Sequence, residues 1–153
     1  MEKKQRTLNN KGFSLVELIV VIAIMAILVG VLAPNVLKYV ETSRESADKQ
    51  VADTIRSAVM TALVDPSVVA TDLPAAGNGK ALADVCGGTN SFTQTVMSNA
   101  GVTQVTDLTS ALKSKKLKGG TVTVDISAQN EVVVHIETTS WKFDTKSGAI
   151  SAK

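Results

Sequence analysis

The run from Phe13 to Ala33 holds twenty-one residues and a single ionisable side chain, Glu17. As a helix rising 1.5 Å per residue it spans ~31 Å, which matches a bilayer core of roughly 30 Å. A carboxylate in a spanning helix costs ~2.5 kcal/mol or more near the centre and less near an interface, and such residues mark functional sites that have a partner. Glu17 therefore constrains the chain more than the apolar residues around it do.

The flanks give the run a direction. Lys3, Lys4, Arg6 and Lys11 stand against Glu2 in the first twelve residues, a balance of +3, and the positive-inside bias keeps that end cytoplasmic. The remainder carries twelve basic and thirteen acidic side chains. That near-neutrality argues against a nucleic-acid-binding domain driven by bulk charge.

Three readings of the run compete. A secretory signal would use Val31-Leu32-Ala33, but Pro34 is a poor residue after a scissile bond and the core is long. A plain membrane anchor explains the length and leaves Glu17 unexplained. A cut between Gly12 and Phe13 supplies a partner, because the new α-amino group lies four residues before Glu17, ~6 Å along the axis. Between staggered neighbouring helices amine and carboxylate meet, and in low dielectric a copy out of register leaves both charges unpaired.

The string Lys11-Gly12-Phe13-Ser14-Leu15-Val16-Glu17-Leu18, followed by an apolar stretch and Pro34, closely resembles the class III signal of type IV pilins and of the pseudopilins of type II secretion and competence systems. The resemblance covers about the first forty residues, and its motif is highly specific. It implies cleavage after Gly12 by a prepilin peptidase, methylation of the Phe13 amine by the same enzyme, and a role for Glu17 in docking a new subunit into a filament. Ser14 stands where many members have threonine. The implied partners are other copies in a helical homopolymer, the peptidase, an inner-membrane assembly platform and an assembly ATPase, with the membrane itself before assembly. Gly12 offers no side chain at the bond to be cut, and Lys11 holds that bond on the cytoplasmic side.

Beyond the run, Val40, Ala47, Val51, Ile55, Ala58 and Ala62, with Val36, Val59 and Leu63 beside them, fall at helical spacing. Glu41, Arg44, Glu45, Asp48, Lys49, Asp53 and Arg56 fill other faces. Asp65-Pro66 ends the pattern, so one helix is expected from Phe13 to Val64. Gly30 and Pro34 are its expected weak point, since proline removes a backbone bond and glycine is a poor helix former.

Residues 66–90, rich in Pro, Gly, Ala, Asp and Asn, read as a connecting loop with one helical turn near Lys80 to Val85. Two short helices are expected, Ser91 to Asn99 before Ala100-Gly101 and Asp107 to Lys118 before Gly119-Gly120. The β-branched runs 121–127 and 131–138, joined by 128–130, and the segments 140–144 and 149–151 read as an antiparallel meander. Val122, Val124, Ile126, Val132, Val134 and Ile136 form its core face by period-two alternation, with Trp141 and Phe143 together on one face. The expected fold class is α+β, a long N-terminal helix packed on a C-terminal sheet of three or four strands. The expected division is a leader over 1–12, a membrane and filament-core helix over 13–33, and an exported head over 34–153.

Chemistry is sparse. Cys86 is the only cysteine and cannot form an intramolecular disulfide, which departs from the disulfide that closes many Gram-negative pilins; it reads as a small buried side chain. His135, the only histidine, falls on the sheet face opposite the core. No catalytic motif, nucleotide loop or metal-ligand spacing occurs, so neither enzyme activity nor a cofactor or metal is expected. Asp65, Asp72, Asp84, Asp125 and Asp144 lack calcium-loop spacing. Lys113, Lys115, Lys116 and Lys118 form one basic cluster, read as a lysine-rich helix end favoured by the macrodipole, or else as a contact for DNA or an anionic surface. The resemblance points to a single-pass precursor in the cytoplasmic membrane that becomes a subunit of a surface filament. A pseudopilin is the alternative, and a membrane-anchored binding domain that never polymerises is the reading from another class.

Overall fold

The computed structural model describes residues 12–153, and Lys11 lies outside them. Two compact units share the chain, one ending at Tyr39 and the other running from Val40 to Lys153. Helix α1, Leu15–Val64, belongs to both.

Among the described residues, those of α1 in the first unit are all exposed. Every residue from Gly12 to Val40 is exposed, including Leu15, Leu18, Ile19, Ile22, Ile24, Ile27 and Leu28. This part is apolar all round, with a mean hydropathy of 3.1 over its most apolar window, and its length and composition suit a membrane crossing. The helix continues without interruption through Gly30 and Pro34. Pro34 has no N–H to give the Gly30 carbonyl four residues earlier; at the next position the Asn35 side chain donates from Nδ2 to the Val31 carbonyl at 3.3 Å.

The second unit holds the core. Strands β1 (Gly77–Ala81), β2 (Thr121–Ile126), β3 (Val132–Glu137), β4 (Trp141–Asp144) and β5 (Ile150–Ala152) form one antiparallel sheet in sequential order. The fold is α+β as expected, with five strands instead of three or four. The extra strand is β1, within the segment read as loop. Its sequence GNGKA has no strand signature; it is a strand because it pairs with β2, with an irregularity between Gly77 and Lys80. The rest of that segment forms a 3₁₀ turn at Ala70–Asp72 and helix α2, Leu82–Cys86.

Period-two alternation places all six expected valines and isoleucines of β2 and β3 in the core, beside Phe143. Ile55, Val59, Ala52, Ala58 and Ala62 of α1 belong to the same cluster. Fully burying one such aliphatic side chain is worth ~1.5–3 kcal/mol, so this cluster contributes strongly to the unit's stability. Two expected stripe positions, Val40 and Ala47, are exposed, and Asp48, assigned to a solvent face, is fully buried.

Helix α3, Ser91–Ala100, ends as its sequence requires. Asn90 accepts from the Thr93 N–H at 2.9 Å. At the other end Gly101, at φ 69°, lets its N–H reach the Ser98 carbonyl and that of Val102 reach the Met97 carbonyl, a Schellman closure. Asp72 ties the 3₁₀ turn to α3 by accepting the Ser91 N–H at 2.9 Å and its hydroxyl at 2.7 Å. These two bonds hold its carboxyl below the usual aspartate range. A folded-state pKa below the unfolded one contributes stability that is present above the unfolded value and lost as pH falls through the folded one. The melting temperature is therefore expected to be flat above about pH 5 and to fall below about pH 4. Asp72→Asn should reduce that slope, and melts at pH 3 and pH 6 in both forms check it.

Helix α4, Val105–Ser110, is shorter than the helix expected over 107–118. In an unbroken helix the N–H groups of Lys113 and Ser114 would bond the carbonyls of Thr109 and Ser110. Here they donate to Asp48 instead, at 2.8 Å to Oδ1 and 2.9 Å to Oδ2. The lysines consequently lie on a turn-rich segment, not on a helix end, and the macrodipole reading of them is set aside.

Candidate functional site

Residues 12–14 are not helical, and α1 begins at Leu15. The Leu18 N–H bonds the Ser14 carbonyl at 3.3 Å, while the Ser14 N–H donates to Glu17 Oε2 at 2.8 Å. Ser14 thus takes the N-cap position and Glu17 reaches back from the third helical residue, one arm of a capping box. The signature Ser-x-x-Glu, Ser14 to Glu17, is the sequence signal for this cap and is missing from the expectations above. A carboxyl group at this end also complements the positive pole of the helix.

The cap sets the geometry of the expected cleavage site. Gly12 and Phe13 precede the helix, Phe13 is 94% exposed, and a Cβ built on Gly12 would meet nothing within 4 Å. The subunit itself therefore does not need a glycine at that position. Gly12, Phe13 and Glu17 fall together within one turn of the helix start, whereas Gly30 and Pro34 lie four residues apart further along α1.

The lysine cluster divides. Lys116 Nζ pairs with Glu45 Oε1 at 2.9 Å and sits 4.7 Å from the centroid of the Trp141 ring, so its ammonium group is engaged twice. Lys113, Lys115 and Lys118 are exposed. Their segment is fixed through the backbone: Asp48 takes the N–H groups of Lys113 and Ser114 and the Ser114 hydroxyl, and Glu41 takes the N–H of Lys115. Glu41, Glu45 and Asp48 follow one another at four and three residues, one face of α1.

The remaining reactive groups are quiet. Cys86 is buried, and burial pushes its thiol up to about 11. At pH 7.5 the thiolate fraction is below about 0.1%, so the folded chain is expected to resist iodoacetamide at pH 7.5 and to react fully once denatured. Mass spectrometry of the two samples measures this. His135 Nε2 lies 3.0 Å from Asp125 Oδ2, on the half-buried outer sheet face, and Asp125 Oδ1 accepts the Gly79 N–H at 2.6 Å. Among the described residues no group of three or more His, Cys, Asp or Glu side chains is arranged to hold a metal ion.

No curated protein and no solved structure gave a match to this chain. Residues 7–33 match the family model described as a prokaryotic N-terminal methylation motif. The matched segment contains Gly12, Phe13, Glu17 and Gly30. The chain thus carries, at the start of its apolar helix, the class III signal of the type IV pilin and pseudopilin family.

Proposed function

We propose that this chain is a type IV pilin, the structural subunit of a surface filament, cut between Gly12 and Phe13, methylated on the new amine and polymerised through α1. One observation carries the reading: α1 is exposed up to Val40, and from Leu15 to Ala33 its only ionisable side chain is Glu17. Such a surface is stable only in lipid or against copies of itself. The signal supports processing by a prepilin peptidase and a membrane-anchored precursor. Lys11 would keep the cut on the cytoplasmic side.

In the filament, helices leave the bilayer and pack into a dry bundle. The Phe13 amine and Glu17 of adjacent copies then set register, because a shifted copy leaves both charges unpaired in low dielectric. Gly30 and Pro34 mark where α1 loosens as it leaves lipid, since the bonding there is already one donor short. Work to extract subunits comes from a separate ATPase and its membrane platform.

The mass of the N-terminal peptide tests the reading. In protein sheared from intact cells it should begin at N-methylated Phe13. Methylated Phe13 confined to membranes would instead indicate a pseudopilin, and a chain beginning at Met1 or Pro34 would overturn the proposal.

A further inference from the structure

Asn78-Gly79 is the one place in the sequence where glycine follows asparagine, and it lies in β1, at the edge of the sheet. Gly77 pairs with Ile126 and Lys80 with Val124, so Asn78 and Gly79 together stand opposite Asp125, a β-bulge. Both bulge residues are exposed, and Gly79 takes the left-handed conformation at φ 67°. A single bond pins them to β2: the Gly79 N–H donates to Asp125 Oδ1 at 2.6 Å. The other carboxylate oxygen, Oδ2, lies 3.0 Å from His135 Nε2 on β3. On the side leading into the strand, the Lys80 ammonium group donates to the Ala75 carbonyl. All of these residues belong to the unit from Val40 to Lys153.

Asparagine followed by glycine is the pair most open to deamidation, because the next backbone nitrogen carries no β-carbon beside it to block its approach to the side-chain amide. That nitrogen bonds to Cγ of the asparagine, its proton passes to water, and the side-chain nitrogen leaves as ammonia, giving a five-membered imide. Water then adds to either imide carbonyl and opens the ring to aspartate or isoaspartate. In sum a water is consumed and an ammonia released, with no change of oxidation state.

At this bulge the first step is opposed by Asp125. To attack, the Gly79 nitrogen must turn toward the Asn78 side chain, which breaks its bond to Oδ1. It must also shed its proton beside a carboxylate, whose charge disfavours the anion that forms. Hydrogen bonds to charged groups are among the stronger ones, and because the bulge is exposed to water, this bond and not burial holds the site closed.

We propose that Asn78-Gly79 is a deamidation site gated by Asp125, closed while the carboxylate holds the Gly79 N–H and open when β1 lifts from β2. Conversion changes the edge strand in one direction only. An aspartate at position 78 sets a second negative charge next to Asp125, and an isoaspartate adds a methylene to the backbone and shifts the register of the bulge. Both products disfavour the return of β1 to β2.

The test follows the full chain in detergent micelles at neutral pH and reads the mass gained by the peptide containing Asn78 as NH2 is replaced by OH. The same chain in denaturant is the ungated reference. Conversion in the folded chain should be at least about tenfold slower, the factor expected of a hydrogen bond to a charged group. Asp125→Ala should bring the folded rate to within about threefold of the denatured one, and Asp125→Asn, which keeps an acceptor oxygen without the charge, should fall between. Melting temperatures show that the variants are folded; should the alanine variant not be, the asparagine variant decides, since it too must convert faster than the parent. A parent chain that converts as fast folded as denatured would overturn the gate. An unchanged rate in Asp125→Ala would assign the protection to strand conformation alone, and a slower one would make Asp125 a base that promotes the reaction; either result overturns the proposal.

Discussion

Glu17→Ala is expected to leave the chain inserted in the membrane and to lower the yield of sheared filament at least about tenfold, which corresponds to ~1.4 kcal/mol at the docking step. Two interactions vanish together in that variant. One is the bond from the Ser14 N–H, 2.8 Å long, that caps α1. The other is the charge that the Phe13 amine of a neighbouring copy would meet. Glu17→Gln separates them, because its amide oxygen still accepts from Ser14 while its charge is gone. If charge sets register, the glutamine variant should assemble as poorly as the alanine one. Wild-type filament yield from the glutamine variant would assign the role of Glu17 to the cap and sink the pairing argument.

The second large effect falls on Asp48. Its carboxyl is fully buried and serves three donors: the N–H groups of Lys113 and Ser114 and the Ser114 hydroxyl. Asp48→Ala orphans these donors, at ~1–3 kcal/mol for each one that water cannot reach. A loss of about 3 kcal/mol is a large share of a typical 5–15 kcal/mol total, so the melting temperature should drop by roughly 10 °C or more. Hydrogen exchange should rise first over 111–119. Asp48→Asn, which keeps one acceptor oxygen, should fall between the two. An alanine variant melting within about 2 °C of the parent would mean that the segment holds its place without Asp48.

Asp48 also shows where sequence reasoning stops. Local periodicity located α1, α3 and the β2–β3 hairpin almost to the residue, because each is fixed by neighbours a few positions away. The six aliphatic positions of the sheet core followed from alternation alone. Periodicity puts Asp48 off the apolar stripe with the other charged residues, and nothing local marks it as buried, because its partners lie more than sixty positions away. The same contact truncated the helix expected over 107–118. Strand β1 was hidden for a related reason, since glycine, asparagine and lysine acquire a strand conformation there only by pairing with β2. At the N-terminal end the motif singles out Gly12, Phe13 and Glu17, and the bond that caps α1 there, from the Ser14 N–H to Glu17, is absent from the expectations although Ser14-x-x-Glu17 is its signature.

The sequential order of the five strands has a consequence for biosynthesis. Strands β3, β4 and β5 can each pair with the preceding strand as soon as they leave the ribosome, whereas β1 waits for β2 until α2, α3 and α4 have been made. Helix α1 is made first, however, and Ile55 and Val59 belong to a core whose sheet residues, from Val122 to Phe143, arrive last. Throughout that interval the nascent chain shows two greasy surfaces in succession, one destined for lipid and one for its own sheet. Cellular factors that shield young chains must tell them apart, and the charges from Lys38 to Lys49 mark a boundary between the two.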